Sequence, residues 1–551
     1  MTRQIINEVK DQLRTWSEEV GLIEVTFFVS IAQKNKRTYA WRTTGTTFDK
    51  AWVKVERYIK KQSYSTNDIK IELQTEAERV SATEALRRFS KVERNNYFPS
   101  GVSFKLDGSC CFTVEEIVGN ALLVPHQDHH IGKNKAQLQL NIGNLTNTIR
   151  KKYKRIVPNI WQYVDHEWIF FQTRAVLIEG EQWYELEHEF FGKGVRKITK
   201  ENTNKWLHQV IERGSAYLLK QIRKEGSFIY GYYPTYHKYL PGYNSVRHFS
   251  SLYALLEAYE YQGQVSTTML ETIETSLTWG LEQLCFAKGA SLFVREPTKN
   301  GGELKLGAQA VAILALAKYE SLTKSQQYRP QMLALLEGLT VFIDEQGHTL
   351  HVLHEDLSVK ESFRIVYYDG EALFAIMRAY PLLKDARWLA LGECLMQRFI
   401  RGNYARYHDH WLSYSVNELT QYAPKQEYFA FGLKNVLSHL TFMENRDTAY
   451  PTFLELLCAA TKMFQRMEQA ELTEQFEHEQ DYQRVVDVMQ KRVRHQLRTG
   501  VMWPEFAQYF ARPDVITDGF YARHDRFRMR IDDAEHFLSG FINYAQLYPK
   551  L

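Results

Sequence analysis

The chain has 551 residues, a formal net charge of +4, and a hydrophobic fraction of 44%. This length allows two to four domains around a sizeable core, and the charge is too small to argue for a nucleic-acid partner. Its five cysteines, Cys110, Cys111, Cys285, Cys394 and Cys458, form no CxxC pair, so neither a disulfide framework nor a zinc–thiolate centre is expected and a reducing, cytoplasmic setting is.

Residues 1–20 read as a charged amphipathic helix without the apolar stretch of a signal peptide. No apolar run approaches the roughly 20 residues of a membrane span. VTFFVSIAQ and TYAWRTTG flank the polar turn KNKR as a hairpin. Phe48, Trp52, Val55 and Ile59 then recur at helical spacing, and DIKIELQTEAERV alternates like a strand. Residues 1–84 are therefore expected to form a small ββαβ domain. Residues 85–200 read as a mixed α+β region, with strands in SGVSFKLDGSCCFTV and WIFFQTRAVLIEGEQWYELE. Within it His126, Asp128, His129 and His130 make the densest histidine cluster, either a metal site or a solvated loop.

From about residue 203 the pattern changes to roughly twelve helices joined by alternating short and long gaps. The long gaps carry GSFIYGYYPTYHKYLPGYN, FVREPTKNGGELK, DLSVKESFRIVYYDGE, RYHDHW, ENRDTAYP and DGFYARHDRFRMRIDD. If paired helices close into a ring, every long loop falls on one face, a binding or catalytic surface on a rigid scaffold. On this layout, and on segments such as GYYPTYHKYLPGYNSVRHFSSLYALLEAYE and YYDGEALFAIMRAY, residues 201–551 resemble the (α/α)6 toroid of the six-hairpin glycosidase type. That architecture occurs in many carbohydrate-active enzymes and sugar epimerases, so the resemblance implies a sugar-acting domain. The expected whole is an N-terminal α+β region followed by an all-α toroid.

Candidate site residues cluster in the long gaps. Asp369 and Glu371 stand where an extended run enters a helix, as an acid/base pair or as cap and dipole partner. Tyr367 and Tyr368 before them, with Tyr232, Tyr233 and Trp411, are candidate sugar platforms. His408, Asp409 and His410 could ligate a metal, Asp409 could act as an acid/base with His410 in a sugar site, or the group could make structural hydrogen bonds. Asp532 and His536, four apart at a helix start, share a face and suit a base with its orienting carboxylate. Arg247 and His248 in a first helical turn, with Arg523, His524, Arg528 and Arg530, would grip an anionic group or form structural ion pairs. GxSxG, HExxH and GxGxxG motifs are missing, which argues against hydrolase-elbow, zincin and dinucleotide chemistry.

The expected function is a carbohydrate-active enzyme, hydrolase, lyase or epimerase, acting on a sugar or cell-surface polymer precursor. Its ligand would be a carbohydrate or anionic polymer, with no cofactor or metal and with the N-terminal region free to meet a protein partner. The alternative is a non-catalytic glycan- or protein-binding scaffold, or an accessory factor of polymer biosynthesis.

Overall fold

The computed structural model describes residues 3–549 except 63–67, 93–97, 126–137, 158, 161–163, 165, 190, 264–265, 299–300 and 474–477. The cluster His126, Asp128, His129 and His130 lies outside the described residues. No described helix is long and apolar enough to cross a membrane. The chain forms two units. The first comprises Met1–Thr199, Tyr232–Lys238 and Leu497–Arg528, and the second Lys200–Gly231, Tyr239–Gln496 and Met529–Leu551.

The first unit is built on an antiparallel sheet in the order Trp41–Gly45, Val25–Ile31, Ile69–Val80, Trp168–Glu179, Gly101–Ser103 and Cys111–Phe112, with Gln182–Glu185 paired to Trp168–Glu179. The expected hairpin is present, and Val25 lies opposite Gly45. Helices Arg3–Val20 and Phe48–Lys61 cover this sheet through Val9, Leu13, Trp16, Trp52 and Val55, the apolar stripe that alternation and helical spacing predict. Buried charge is unusually dense here. Lys70 Nζ lies 2.9 Å from Glu115 and 3.4 Å from Glu72, and Arg196 donates to Glu505 at 2.8 Å, with every one of these side chains essentially inaccessible.

The second unit is a closed (α/α)6 toroid. Six inner helices, Ser245–Gln262, Leu306–Thr323, Tyr367–Leu383, His410–Leu419, Thr452–Gln469 and Ile531–Leu547, each pack on the next, and the sixth packs back on the first. Outer helices Thr203–Leu219, Thr267–Leu284, Arg329–Thr340, Ala386–Arg401, Gln426–Leu437 and His478–Thr499 alternate with them in sequence. The second and third inner helices are apolar or small on nearly every face, as helices enclosed by neighbours must be.

All inner helices run in one direction. Their first turns meet one another, as Arg247 with Asp532 and Gly370 with Leu412 show. Their later turns meet too, through Arg378 with Glu257 and Glu418. The long gaps consequently gather at the end carrying the inner N-termini. Two of these gaps are not irregular loops. Cys285–Lys288, Ser291–Thr298, Gly301–Lys305, Val352–His354 and Val359–Glu361 form a five-stranded antiparallel sheet. Its short strands hide in sequence behind Gly301 and Gly302 and behind charged residues on the exposed edge.

Candidate active site

The inner helix N-termini converge on the toroid axis, and with them the positive ends of six helix dipoles. Acidic residues fill that space. Glu371, Asp409, Glu455, Asp532 and Glu535 are all buried. Acceptor atoms without a donor include Glu371 Oε2, Glu455 Oε1 and Asp532 Oδ1. A buried acceptor left unmade costs roughly 1–3 kcal/mol, so this concentration marks a place prepared for something that donates.

Two imidazoles stand among them. Asp409 caps the fourth inner helix, its Oδ1 accepting from the Leu412 amide at 2.9 Å, while Asn435 holds the Asp409 backbone on both sides. Asp409 Oδ2 lies 3.2 Å from His410 Nδ1, which turns His410 Nε2 inward, 3.9 Å from Glu455 Oε2. From the sixth inner helix, His536 Nδ1 lies 3.3 Å from the same Glu455 oxygen and 3.4 Å from Glu535. The two rings cross at 79° with centroids 5.1 Å apart. Tyr367 meets the outer side of His410, 5.3 Å away at 75°.

Burial opposes a charge on His536, but Glu535 and Glu455 outweigh it and push its pKa up to about 10. Burial, then Glu455 and Asp532, raises Glu535 to about 8 against the pull of His536. Burial drives Glu371 well above the carboxylate range, and Asp409 and Glu535 add to it. His410, Glu455 and His536 also offer ligand atoms all within 4.8 Å of one another, a spacing that suits two imidazoles and a carboxylate around a divalent cation.

The remaining expected residues divide clearly. Asp532 accepts from Arg247 Nε at 2.7 Å and from Arg530 Nη2 at 2.9 Å, so the two arginines grip a protein carboxylate. The cation in the first turn of the first inner helix is explained by that pair. Burial opposes the Asp532 charge, yet Arg247 and Arg530 hold its pKa below the ordinary value. His536 takes Glu455 and Glu535 as its nearest partners in place of the expected Asp532.

Asp369 is sealed in the core, its oxygens bound by Thr349 Oγ1 at 2.5 Å and His351 Nε2 at 3.0 Å, which leaves it no acid/base role. His248 is likewise buried, bonded to Tyr243 and the Ser276 carbonyl, and burial lowers its pKa to about 3. It is a neutral packing residue, not a ligand contact. Trp411, at 4% exposure, packs between Phe374 and Tyr414 instead of offering an open platform. Tyr368 lies against His351 and Gly307.

Tyr232, Tyr233, Arg523, His524 and Arg528 belong to the first unit. There Tyr232 is buried with its hydroxyl donating to the Val515 carbonyl, Tyr233 lies beneath Arg526, and Arg528 pairs with Asp525 at 2.5 Å. Arg528 and Arg530 therefore do not act as one clamp.

Glu455 lies on a helix whose sequence reads as packing. One signal was present: a lone carboxylate in PTFLELLCAA, flanked by leucines in the first turns of a helix. Below the site the axis is closed by Arg378, which donates to Tyr253 at 2.9 Å and lies 3.5 Å from Glu257 and 3.6 Å from Glu418.

No family model matches the chain, and no curated protein matches it. Solved structures similar to it include a D-mannose isomerase, at 12% identity and a TM-score of 0.46, covering 63% of this chain and 98% of that one. A cellobiose 2-epimerase from Spirochaeta thermophila DSM 6192 matches at 13% identity and a TM-score of 0.40, covering 63% and 97%. An unsaturated glucuronyl hydrolase specific for heparin matches at 9% identity and a TM-score of 0.43, covering 63% and 99%.

Proposed function

We propose that this protein is a carbohydrate isomerase or epimerase, which moves a proton at the carbon beside the carbonyl of an open-chain sugar. One observation carries the reading: two imidazoles from different inner helices face one buried carboxylate, their centroids 5.1 Å apart. Proton abstraction next to a carbonyl needs a base on the carbon and an acid on the oxygen. With its Nδ1 turned to Asp409, His410 presents Nε2 as the base. Between two glutamates, His536 holds a proton to give.

His410 Nε2 takes the C2 proton, the C–H electron pair becomes the C1–C2 double bond, and the carbonyl oxygen receives the His536 proton. The resulting enediol collapses in one of two ways. Protonation at C1 with loss of the O2 proton gives the ketose, and protonation of C2 from the opposite face with return of the O1 proton to His536 gives the epimer. Glu371, pushed toward its neutral form by burial and by Asp409, stands to donate to a sugar oxygen. The unpaired Glu455 Oε1 and Asp532 Oδ1 suit a polyhydroxylated ligand, which brings many donors, better than an apolar or anionic one.

The test is turnover of D-mannose and D-glucose by wild type, His410→Asn and His536→Asn. Each variant should keep its near-UV circular dichroism and lose about 100-fold to 10,000-fold in rate. Variants as active as wild type would overturn the assignment. Release of new reducing ends from glycosides would reassign the acids to hydrolysis. Activity lost to a chelator and restored by a divalent ion would assign His410, Glu455 and His536 to a metal.

A further inference from the structure

The mouth of the toroid carries a feature that proton transfer on a single sugar does not need. Between residues 363 and 450 the exposed large apolar side chains are Phe363, Tyr367, Tyr407, Phe442 and Tyr450, every one an aromatic ring. They come from the chain entering the third, fourth and fifth inner helices, the same helices that deliver Glu371, His410 and Glu455. Tyr367, 39% exposed, has one side on His410 and the other open to solvent. Phe363, half exposed, stacks on Tyr407 at 6.2 Å and 28°. Tyr450, 43% exposed, stacks on Phe453 at 4.2 Å and 17°.

The backbone holds these rings at a cost. Tyr450 has φ 46° and His408, next to Tyr407, has φ 50°, a left-handed conformation that disfavours residues with a side chain. The Tyr450 carbonyl is fixed by Gln496 Nε2 at 3.2 Å, and the His408 ring by the Asn435 carbonyl at 3.0 Å. Strain held by specific bonds at two successive loops indicates that the placement of these rings matters more than local ease.

We infer that Phe363, Tyr367 and Tyr450 form an outer subsite that stacks the further sugar units of an oligosaccharide whose reacting end lies at His410 and His536. This rests on the isomerase or epimerase reading and narrows it from a free monosaccharide to a chain of at least two units. Flat rings beside hydroxyl-bearing edges match the alternating apolar faces and polar rims of pyranoses. An apolar protein ligand would call for large aliphatic side chains among the rings, and this stretch exposes no Leu, Ile, Val or Met.

Two measurements keep the subsite separable from the reaction. The first is steady-state turnover of D-glucose and D-mannose against cellobiose and mannobiose. The disaccharides should show KM at least about tenfold lower, which one well-made stacking contact supports. Phe363→Ala with Tyr450→Ala should erase that advantage and leave monosaccharide turnover unchanged. Equal KM for mono- and disaccharides, or a double variant that keeps the advantage, overturns the subsite.

The second is calorimetric titration of His410→Asn with cellotetraose and mannotetraose, which reads binding where no chemistry occurs. Tetrasaccharide binding weakened by the two alanines supports the subsite even if no sugar is turned over, in which case only the reaction assignment falls. No binding of either tetrasaccharide overturns the subsite while leaving monosaccharide turnover to judge the reaction.

Discussion

At the scale of residues, charge state decides what the site can do. Glu371 and Glu535 are pushed toward neutrality and His536 toward its cation, so the cluster carries far less negative charge than its carboxylates suggest. The same physics operates in the first unit, where burial, against the pull of Lys70, raises Glu72 to about 7. A carboxyl whose folded pKa lies above its unfolded value loses stability as pH rises from about 4.5 to about 7, because the unfolded chain ionises first. Glu72→Gln removes that loss. Its gain in unfolding free energy over wild type should therefore be small at pH 4, grow through that window to the order of 2 kcal/mol, and level off above it. Denaturant titrations at pH 4, 6 and 8 check the trend, and a gain that shrinks as pH rises would contradict it. His410 and His536 were legible in sequence as polar residues at helix starts. Their meeting at Glu455 was not, because the third partner sits in an apolar run that reads only as core.

At the scale of elements, the close approach of inner helices sets the positions of the catalytic groups. Gly370 stands where a Cβ would come within 2.5 Å of the Leu412 amide and 2.6 Å of the Trp411 carbonyl carbon. Alanine is usually the better helix former by about 1 kcal/mol. Here the clash is with backbone, which cannot turn aside, so Gly370→Ala should destabilise by about 1–3 kcal/mol and pull His410 out of register with His536. Thermal unfolding and mannose turnover should fall together, and an unchanged or higher Tm would contradict the packing. The N-cap of the fourth inner helix gives a second test. Asp409→Ala removes the Leu412 cap and frees the His410 tautomer, and should cost about 1 kcal/mol as well as most of the activity. Helix alternation was readable from 3.6-residue periodicity and gap length. The five-stranded sheet within the gaps was not, because four of its strands have only three to five residues and leave too little alternation to register.

For the whole molecule, ring closure is the organising fact. The sixth inner helix, Ile531–Leu547, buries Phe537, Leu538, Phe541 and Ile542 and carries Asp532, Glu535 and His536. A ring that closes only through its last helix has no stable open form to fall back on, since both neighbours would expose an apolar face. Ending the chain after Arg528 should therefore abolish cooperative unfolding, read by near-UV circular dichroism, rather than merely inactivate. Closure also places groups more than 120 residues apart, such as His410 and His536, within one shell of the axis. A linear reading identifies which loops share a face but not which side chains meet across it. The most direct measurement is proton NMR of D-mannose and of cellobiose incubated with the protein in D2O. The two-imidazole site predicts deuterium at C1 of a ketose product or at C2 of an epimer, with the substrate C2 proton signal decaying alongside product growth and with neither change in His410→Asn. Product formed without exchange is compatible with direct transfer only where the proton stays on one imidazole. An unlabelled C2 with no product from any sugar would contradict proton transfer at this site.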